Sequence, residues 1–197
     1  MRRTLGLLLG GLTLVGAGVV ACSQTPQITD VPLGFNVTEG LLILSEADPT
    51  LGTVILSSTA GNCPSFQAGM NPQNIALSDM LTFNLQVQNA VGSYLPLTAG
   101  AYDIVMSAQP GAGNYASCTE FETTLNCVAT PTGGNSGTLT LQSFSRDAGG
   151  NSVVEYVVVF GYSRFSGGFA LSTCLVPSTA MEPDAGTCVL PGGGGPV

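Results

Sequence analysis

The chain has 197 residues, with 12 acidic residues against four arginines, no lysine and no histidine, for a net charge of −8. So few cations cannot displace the counterions of a phosphate backbone, which argues against nucleic acid as a partner. The lack of histidine and lysine also removes His-based triads, lysine Schiff bases and most zinc hydrolase sites. We therefore expect no catalytic residue, no cofactor and no metal ion.

Residues 1–21 have the pattern of a lipoprotein signal peptide. Arg2 and Arg3 precede a short, glycine-rich apolar stretch that ends in the lipobox-like sequence Val19-Val20-Ala21-Cys22. Cys22 would be the first mature residue and would carry diacylglycerol and a further acyl chain such as palmitate. An ordinary signal peptide cut before Cys22 and an uncleaved anchor are the alternatives. The sequence predicts a lipid-anchored protein of the cell envelope, and Ser23 after the cysteine favours the outer membrane.

The composition divides the mature chain into three parts. We predict a polar tether over residues 22–38, a folded domain over residues 39–176 and a flexible tail over residues 177–197, which is rich in glycine and proline. Without residues 1–21 the chain keeps 12 acids against Arg146 and Arg164, which favours solubility at a surface.

Most predicted elements are strands. Apolar runs at residues 40–45 and 53–57 predict a strand, a turn and a strand, and residues 64–68 predict one short helix. Strict alternation over residues 81–88 predicts a strand with one buried face. Further strands are predicted near residues 102–106, 138–142, 153–160 and 167–174, with a bulge near Ser143 and with residues 153–160 at least partly covered on both sides. About eight or nine antiparallel strands predict an all-β fold. We favour a β-sandwich over a partly closed barrel.

Lipidation leaves five other cysteines, which cannot all pair within one chain. Cys118 and Cys127 are separated by eight residues that could form a hairpin, and a Cys63–Cys174 bond would tie the start of the domain to its last strand. We predict these two disulfides and an unpaired Cys188 in the tail. Zinc binding is disfavoured because there is no histidine and no C-x-x-C pair.

The predicted Cys174 bond has one observation against it. Cys174 has the opposite strand parity to Phe169 and Leu171. It can therefore face the same core as they do only if the strand ends or bulges before it.

Acidic residues are the remaining candidates for chemistry. Glu120 and Glu122 stand two apart and share a face of any strand, where they could act as paired carboxylates or bind calcium. Solvated surface acids are the competing interpretation. Other weak calcium candidates lie near the first hairpin and in a glycine-rich turn: Glu39, Glu46, Asp48, Asp147 and Asn151.

Exposed aromatic residues could bind a glycan. Tyr94, Tyr115 and Tyr162 lie near predicted loops. Tyr102 and Tyr156 instead occupy strand positions that are predicted to face the core. With no tryptophan in the chain, stacking residues are few.

Several loose motifs together carry a resemblance: Asn62-Cys63, Phe66-Gln67-Ala68-Gly69, Asn71-Pro72, Gly100-x-Tyr102, Gly137-Thr138-Leu139-Thr140-Leu141 and Gly168-Phe169-Ala170 to Cys174. Through them the chain resembles predicted lipoproteins that are abundant in myxobacteria, over about residues 39–174. The resemblance implies the fold and the anchoring but no activity. Cys118 and Cys188 look like additions to that pattern.

Two functional hypotheses follow. The first is a non-enzymatic structural or protein-interaction domain, tethered by lipidated Cys22, whose loops or sheet edge meet another envelope protein. The second is a ligand-binding module for calcium, a glycan or a small apolar molecule. A concave pocket with converging polar groups would favour the second hypothesis, and a smooth surface would favour the first.

Overall fold

The computed structural model describes residues 29–106, 111–124 and 127–177. Within these residues the fold is predominantly β, with one short α-helix and one 3₁₀ turn. The elements in chain order are β1 (Thr29–Asp30), β2 (Glu39–Ser45), β3 (Gly52–Ser57), α1 (Cys63–Gln67), the 3₁₀ turn (Pro72–Asn74), β4 (Asp79–Gln88), β5 (Tyr94–Leu95), β6 (Gly100–Val105), β7 (Gly113–Thr123), β8 (Ala129–Gly133), β9 (Ser136–Ser143), β10 (Asn151–Phe160) and β11 (Ser163–Val176).

The sheet closes on itself, so the predicted sandwich is wrong. Eight strands form a closed barrel in the order β2, β3, β4, β7, β6, β9, β10 and β11, and β11 pairs with β2. Inward-facing side chains from all eight strands form one continuous core, which includes Leu42, Phe83, Tyr102, Leu139 and Tyr156. A single interior of this kind is the arrangement of a small barrel filled by its own side chains.

Strand β7 closes the barrel, and the sequence pattern did not reveal it. It pairs with β4 over ten residues and with β6 over two. Its inward residues Ala116 and Cys118 are small and stand opposite Leu85 and Phe83 of β4. Most of its other residues are polar, so apolar alternation is nearly absent from this strand. Without β7, strands β4 and β6 would be the free edges expected of a sandwich.

The prediction of an antiparallel sheet is correct for most strand pairs. Two pairs in the ring are parallel, β11 with β2 and β6 with β7. The short strand β1 also runs parallel to β11. In the parallel pair β11–β2, the last strand of the domain lies beside the first long one, which joins the two ends of the described chain.

The packed domain begins before residue 39, where the tether was expected to end. Leu33, Phe35 and Val37 are partly buried and pack against the barrel core, whereas the residues between them are exposed. Because every second side chain is partly buried, this segment lies in an extended form with one face packed against the barrel. The part of the predicted tether that the structure describes is therefore packed against the domain.

Several local predictions are confirmed. Helix α1 occupies Cys63–Gln67, and Gly69 follows it with a φ of 87° that suits a glycine. The register between β9 and β10 shifts next to Ser143, which is the predicted bulge. The expected double coverage of β10 holds only at its end, because Val158, Val159 and Phe160 are buried whereas Val153 and Val157 are each 37% exposed.

A second, smaller core lies on the outer face of the barrel and explains the parity of Cys174. Helix α1 and the following loop cover this face, and Cys174 points outward into it. The buried members are Leu41, Ile43, Ile55, Phe66, Ile75, Met80, Cys174 and Val176. Leu171, of opposite parity, points into the barrel. The Cys63–Cys174 disulfide is confirmed, with Cα atoms 5.7 Å apart, and needs no bulge because each face has its own core.

Candidate functional site

A cavity of about 460 Å³ lies on the outer face of the barrel, between the strands and the segment that covers them. We call residues 63–75, with helix α1 and the 3₁₀ turn, the cap. The cavity is lined by Ile43, Thr53, Ile55, Thr82, Asn84, Thr119, Phe121 and Val176 from the strands and by Phe66, Met70, Asn71, Pro72 and Gln73 from the cap. Every one of these side chains is uncharged.

Local contacts fix the cap at its N-terminal end. The Glu39 carboxylate accepts hydrogen bonds from the backbone N–H groups of Gly61 and Asn62, at 3.1 and 3.0 Å, and from the Asn62 side-chain amide at 2.8 Å. Asn62 is fully buried, so its amide has to be satisfied there. The next residue, Cys63, is bonded to Cys174. Helix α1 therefore starts from a position set by strands β2 and β11.

A hydrogen bond and packing hold the rest of the cap. The Gln67 side-chain amide donates to the Leu175 carbonyl at 3.0 Å, and Phe66, 5% exposed, points down into the outer core. Ile75 is fully buried there. Both ends of the cap are therefore held in place, and residues from its middle line the cavity.

The strand side of the cavity changes from polar to apolar along the strands. Thr53 and Asn84 are cross-strand neighbours, and the Thr53 hydroxyl donates to Asn84 Oδ1 at 2.9 Å. One step further under the cap, Thr82 is 2% exposed and its hydroxyl donates to the Thr119 carbonyl at 3.1 Å. On β3, the outward residue that follows Thr53 is Ile55, which lines the cavity and is 1% exposed. On β3 and β4 the cavity therefore has a polar mouth, at Thr53 and Asn84, and a more apolar depth.

The predicted acidic pair lies outside this cavity, on the same face of β7 as the inward residues Ala116 and Cys118. Glu120 and Glu122 share one strand face, as expected, and Asp79 is the cross-strand partner of Glu122. These three acids line a second cavity of about 350 Å³ with Gly34, Phe35, Phe121, Thr130 and Thr132. Burial, and then the charges of Asp79 and Glu122, raise the pKa of Glu120. No group of three or more carboxylate or thiolate residues in the described part of the chain is arranged to hold a metal ion.

Replacing Glu120 with glutamine should stabilise the protein at neutral pH. A carboxyl whose pKa is raised on folding binds its proton more tightly in the folded state, so its ionisation lowers stability as the pH rises through that pKa. Glu120→Gln should therefore be more stable than the wild type at about pH 7, with the difference disappearing near pH 4. Urea unfolding at both pH values measures this. Glu46→Gln, at an exposed position, is the control and should show no such gain.

The other calcium candidates are engaged in local structure or lie apart. Glu39 holds the cap, and Asp48 accepts hydrogen bonds from the backbone and hydroxyl of Thr50. The Thr50 bonds lower the pKa of Asp48. Glu46 and Asp147 are exposed.

The predicted core positions of two tyrosines are confirmed, and the exposed tyrosines add no support to the glycan hypothesis. Tyr102 and Tyr156 are buried in the barrel, as predicted, and the Tyr102 hydroxyl donates to the Thr98 carbonyl at 2.6 Å. Tyr94 and Tyr162 are 52% and 65% exposed. Tyr115 is partly buried, and none of these three lines the cavities described above.

The predicted Cys118–Cys127 disulfide is wrong. Cys118 is a free thiol, 3% exposed, inside the barrel among the core side chains, and burial raises its pKa far above the ordinary value. It faces inward opposite Phe83, away from any hairpin partner. Cys127 is itself disulfide-bonded. The predictions for Cys22 and Cys188 lie outside the described residues.

The sequence did not point to the capped cavity. Its lining comes from strands β2, β3, β4, β7 and β11 and from the cap, so no single stretch of sequence carries the pattern. One signal was available: Thr53, Thr82 and Asn84 are outward residues on strands whose other face is strongly apolar. None of the protein-family models, curated proteins or solved structures compared with the chain matches it. In the described residues, no helix has the length and hydrophobicity to span a bilayer.

Proposed function

We propose that this protein is a non-enzymatic, lipid-anchored envelope module that binds a small, mainly apolar ligand in the cavity beneath its cap. The observation that carries the proposal is the cavity itself. Its volume of about 460 Å³ lies within the range of small-molecule sites, which are largely apolar with a few placed polar groups. Of the two hypotheses drawn from the sequence, this one is favoured by a concave site. A structural or protein-interaction role would not need such a cavity.

The lining favours binding over catalysis. None of its thirteen side chains is an acid, a base or a cysteine, so no group there can activate a threonine hydroxyl or transfer a proton near neutral pH. The acids of the second cavity have no histidine or lysine beside them, because the chain contains neither, so only their own carboxyl groups could transfer a proton there. We therefore propose that the protein is not an enzyme.

The anchoring part of the proposal rests on residues 19–22 and on the resemblance to myxobacterial lipoproteins. With diacylglycerol and an acyl chain on Cys22, the protein should partition into the membrane fraction, since two or more chains are needed for stable anchoring. Cys22→Ala should move the protein out of that fraction and change its electrophoretic mobility. An unchanged distribution and mobility would contradict lipidation.

A cavity-filling variant tests ligand binding. The neutral apolar dye N-phenyl-1-naphthylamine should fluoresce on binding to the wild type. Asn84→Phe should weaken dye binding by about 10-fold or more, because the new ring occupies the cavity mouth. The control is Gln86→Phe, two residues along the same outer face of β4 and outside the lining. Equal dye binding by the wild type and Asn84→Phe, or loss in the control alone, would contradict the proposed site.

A further inference from the structure

We infer, on the basis of the proposed function, that the ligand is an uncharged amphiphile. Its apolar body lies beneath the cap, and its neutral head group, an amide or a hydroxyl, hydrogen-bonds to Thr53 and Asn84 at the cavity mouth. Three features of the site support this assignment: the direction of the polarity gradient, the hydrogen-bonding capacity at the mouth, and the absence of charge.

The gradient fixes the orientation of the ligand. On β4 the lining residues Asn84 and Thr82 are successive outward positions, and they are exposed and 2% exposed respectively. The neighbouring strand β3 repeats the order, with partly buried Thr53 followed by Ile55 at 1% exposure. An apolar chain gains most where it contacts apolar lining, so its body should lie against Ile55, Phe66 and Met70.

The mouth can both donate and accept. The Thr53 hydroxyl donates to Asn84 Oδ1, so the Thr53 oxygen keeps its lone pairs as acceptors, and the Asn84 amide keeps its two N–H groups as donors. An amide head group on the ligand offers the complementary set, with a carbonyl for Asn84 and an N–H for Thr53. A hydroxyl head can use the same two partners.

The charge distribution disfavours an ionic head group. No lining residue carries a charge, so a carboxylate or an ammonium group would lose water at the mouth without gaining a counter-ion. The net charge of −8 adds a repulsion against anions. A fatty acid is thus a poor ligand, and a neutral amphiphile of equal length is a good one.

Isothermal titration calorimetry with three ligands of equal chain length tests the assignment. The protein is residues 22–197 carrying Cys22→Ala, which has no lipid and needs no detergent. Octanamide should bind about 10-fold more tightly than octanoate or octylammonium, because one satisfied hydrogen-bonding head replaces an unpaired charge. Equal or tighter binding of octanoate or octylammonium would overturn the head-group assignment and leave the proposed function intact. No binding of any of the three would overturn both.

A double variant tests the residues. Thr53→Val with Asn84→Leu keeps similar side-chain volumes and removes the polar pair, so octanamide should bind about 5-fold or more weakly than to the wild type. Thr140→Val, on the outer side of β9, removes a hydroxyl outside the cavity lining and should leave octanamide binding unchanged. Unchanged octanamide binding in the double variant would overturn the assignment to Thr53 and Asn84.

Discussion

Replacing both Cys63 and Cys174 with alanine should lower the free energy of unfolding by about 4 kcal/mol. The bond closes a loop with a sequence separation of 111, so its loss returns a large entropy to the unfolded chain. The cap also loses its covalent link to β11, so dye binding in the cavity should weaken as well. Urea unfolding measures the stability, and fluorescence titration measures the binding.

Cys118→Ala is the control for this variant. It removes a free thiol from the barrel core, breaks no disulfide and does not touch the cap. We expect a loss of about 1 kcal/mol, typical of a small buried truncation, with unchanged dye binding. A disulfide variant no less stable than Cys118→Ala would show that the bond contributes little to the fold.

Gly137→Ala should lower the free energy of unfolding by at least about 3 kcal/mol, or prevent folding. Gly137 has a φ of 142°, which side chains rarely adopt, and a Cβ there would overlap the Val157 carbonyl of the neighbouring strand β10. The methyl group would push β9 away from β10 inside the closed ring, where neither strand can move freely.

Gly133→Ala is the matched control for that substitution. Gly133 ends β8, outside the ring, and a Cβ at this position meets no atom within 4 Å. Its stability should stay within about 0.5 kcal/mol of the wild type. Unfolding curves for the two variants that coincide would contradict the tight approach of β9 to β10.

Local patterns predicted most of the elements. The apolar runs of β2 and β3, the alternation in β4 and the proline-started helix α1 are each visible within about ten residues of sequence. Strand β7 is different, because Ala116 and Cys118 are its only buried apolar residues on the inward face. Their small size matters only opposite Phe83 and Leu85, which a linear pattern cannot indicate. Missing this one strand is what made the barrel look like a sandwich.

The cysteine predictions show the same limit. Strand parity correctly indicated that Cys174 points away from the core of Leu171, but no local pattern indicated that the other face has a core too. That core exists because the cap folds back over the outer face of the sheet. For Cys118 and Cys127, closeness along the chain suggested a pair. Cys118 instead faces the barrel interior, so its thiol has no route to a hairpin neighbour.

The cavity depends on strand register, which alternation alone does not determine. Thr53 lies beside Asn84, and Thr82 beside Thr119, only in the observed pairing of β3, β4 and β7. The polar mouth and the apolar depth arise from that register together with the position of the cap. Sequence analysis could therefore name a ligand-binding module as a possibility but could not locate its site.

The most direct test of the cavity is a methyl NMR titration of residues 22–197 carrying Cys22→Ala, with labelled isoleucine side chains and octanamide as the ligand. Ile43 and Ile55 line the cavity, whereas Ile104 lies inside the barrel. Binding beneath the cap should shift the methyl signals of Ile43 and Ile55 and leave that of Ile104 in place. Shifts at Ile104 with Ile43 and Ile55 unchanged, or no shift at any of the three at saturating ligand, would contradict the proposed binding site.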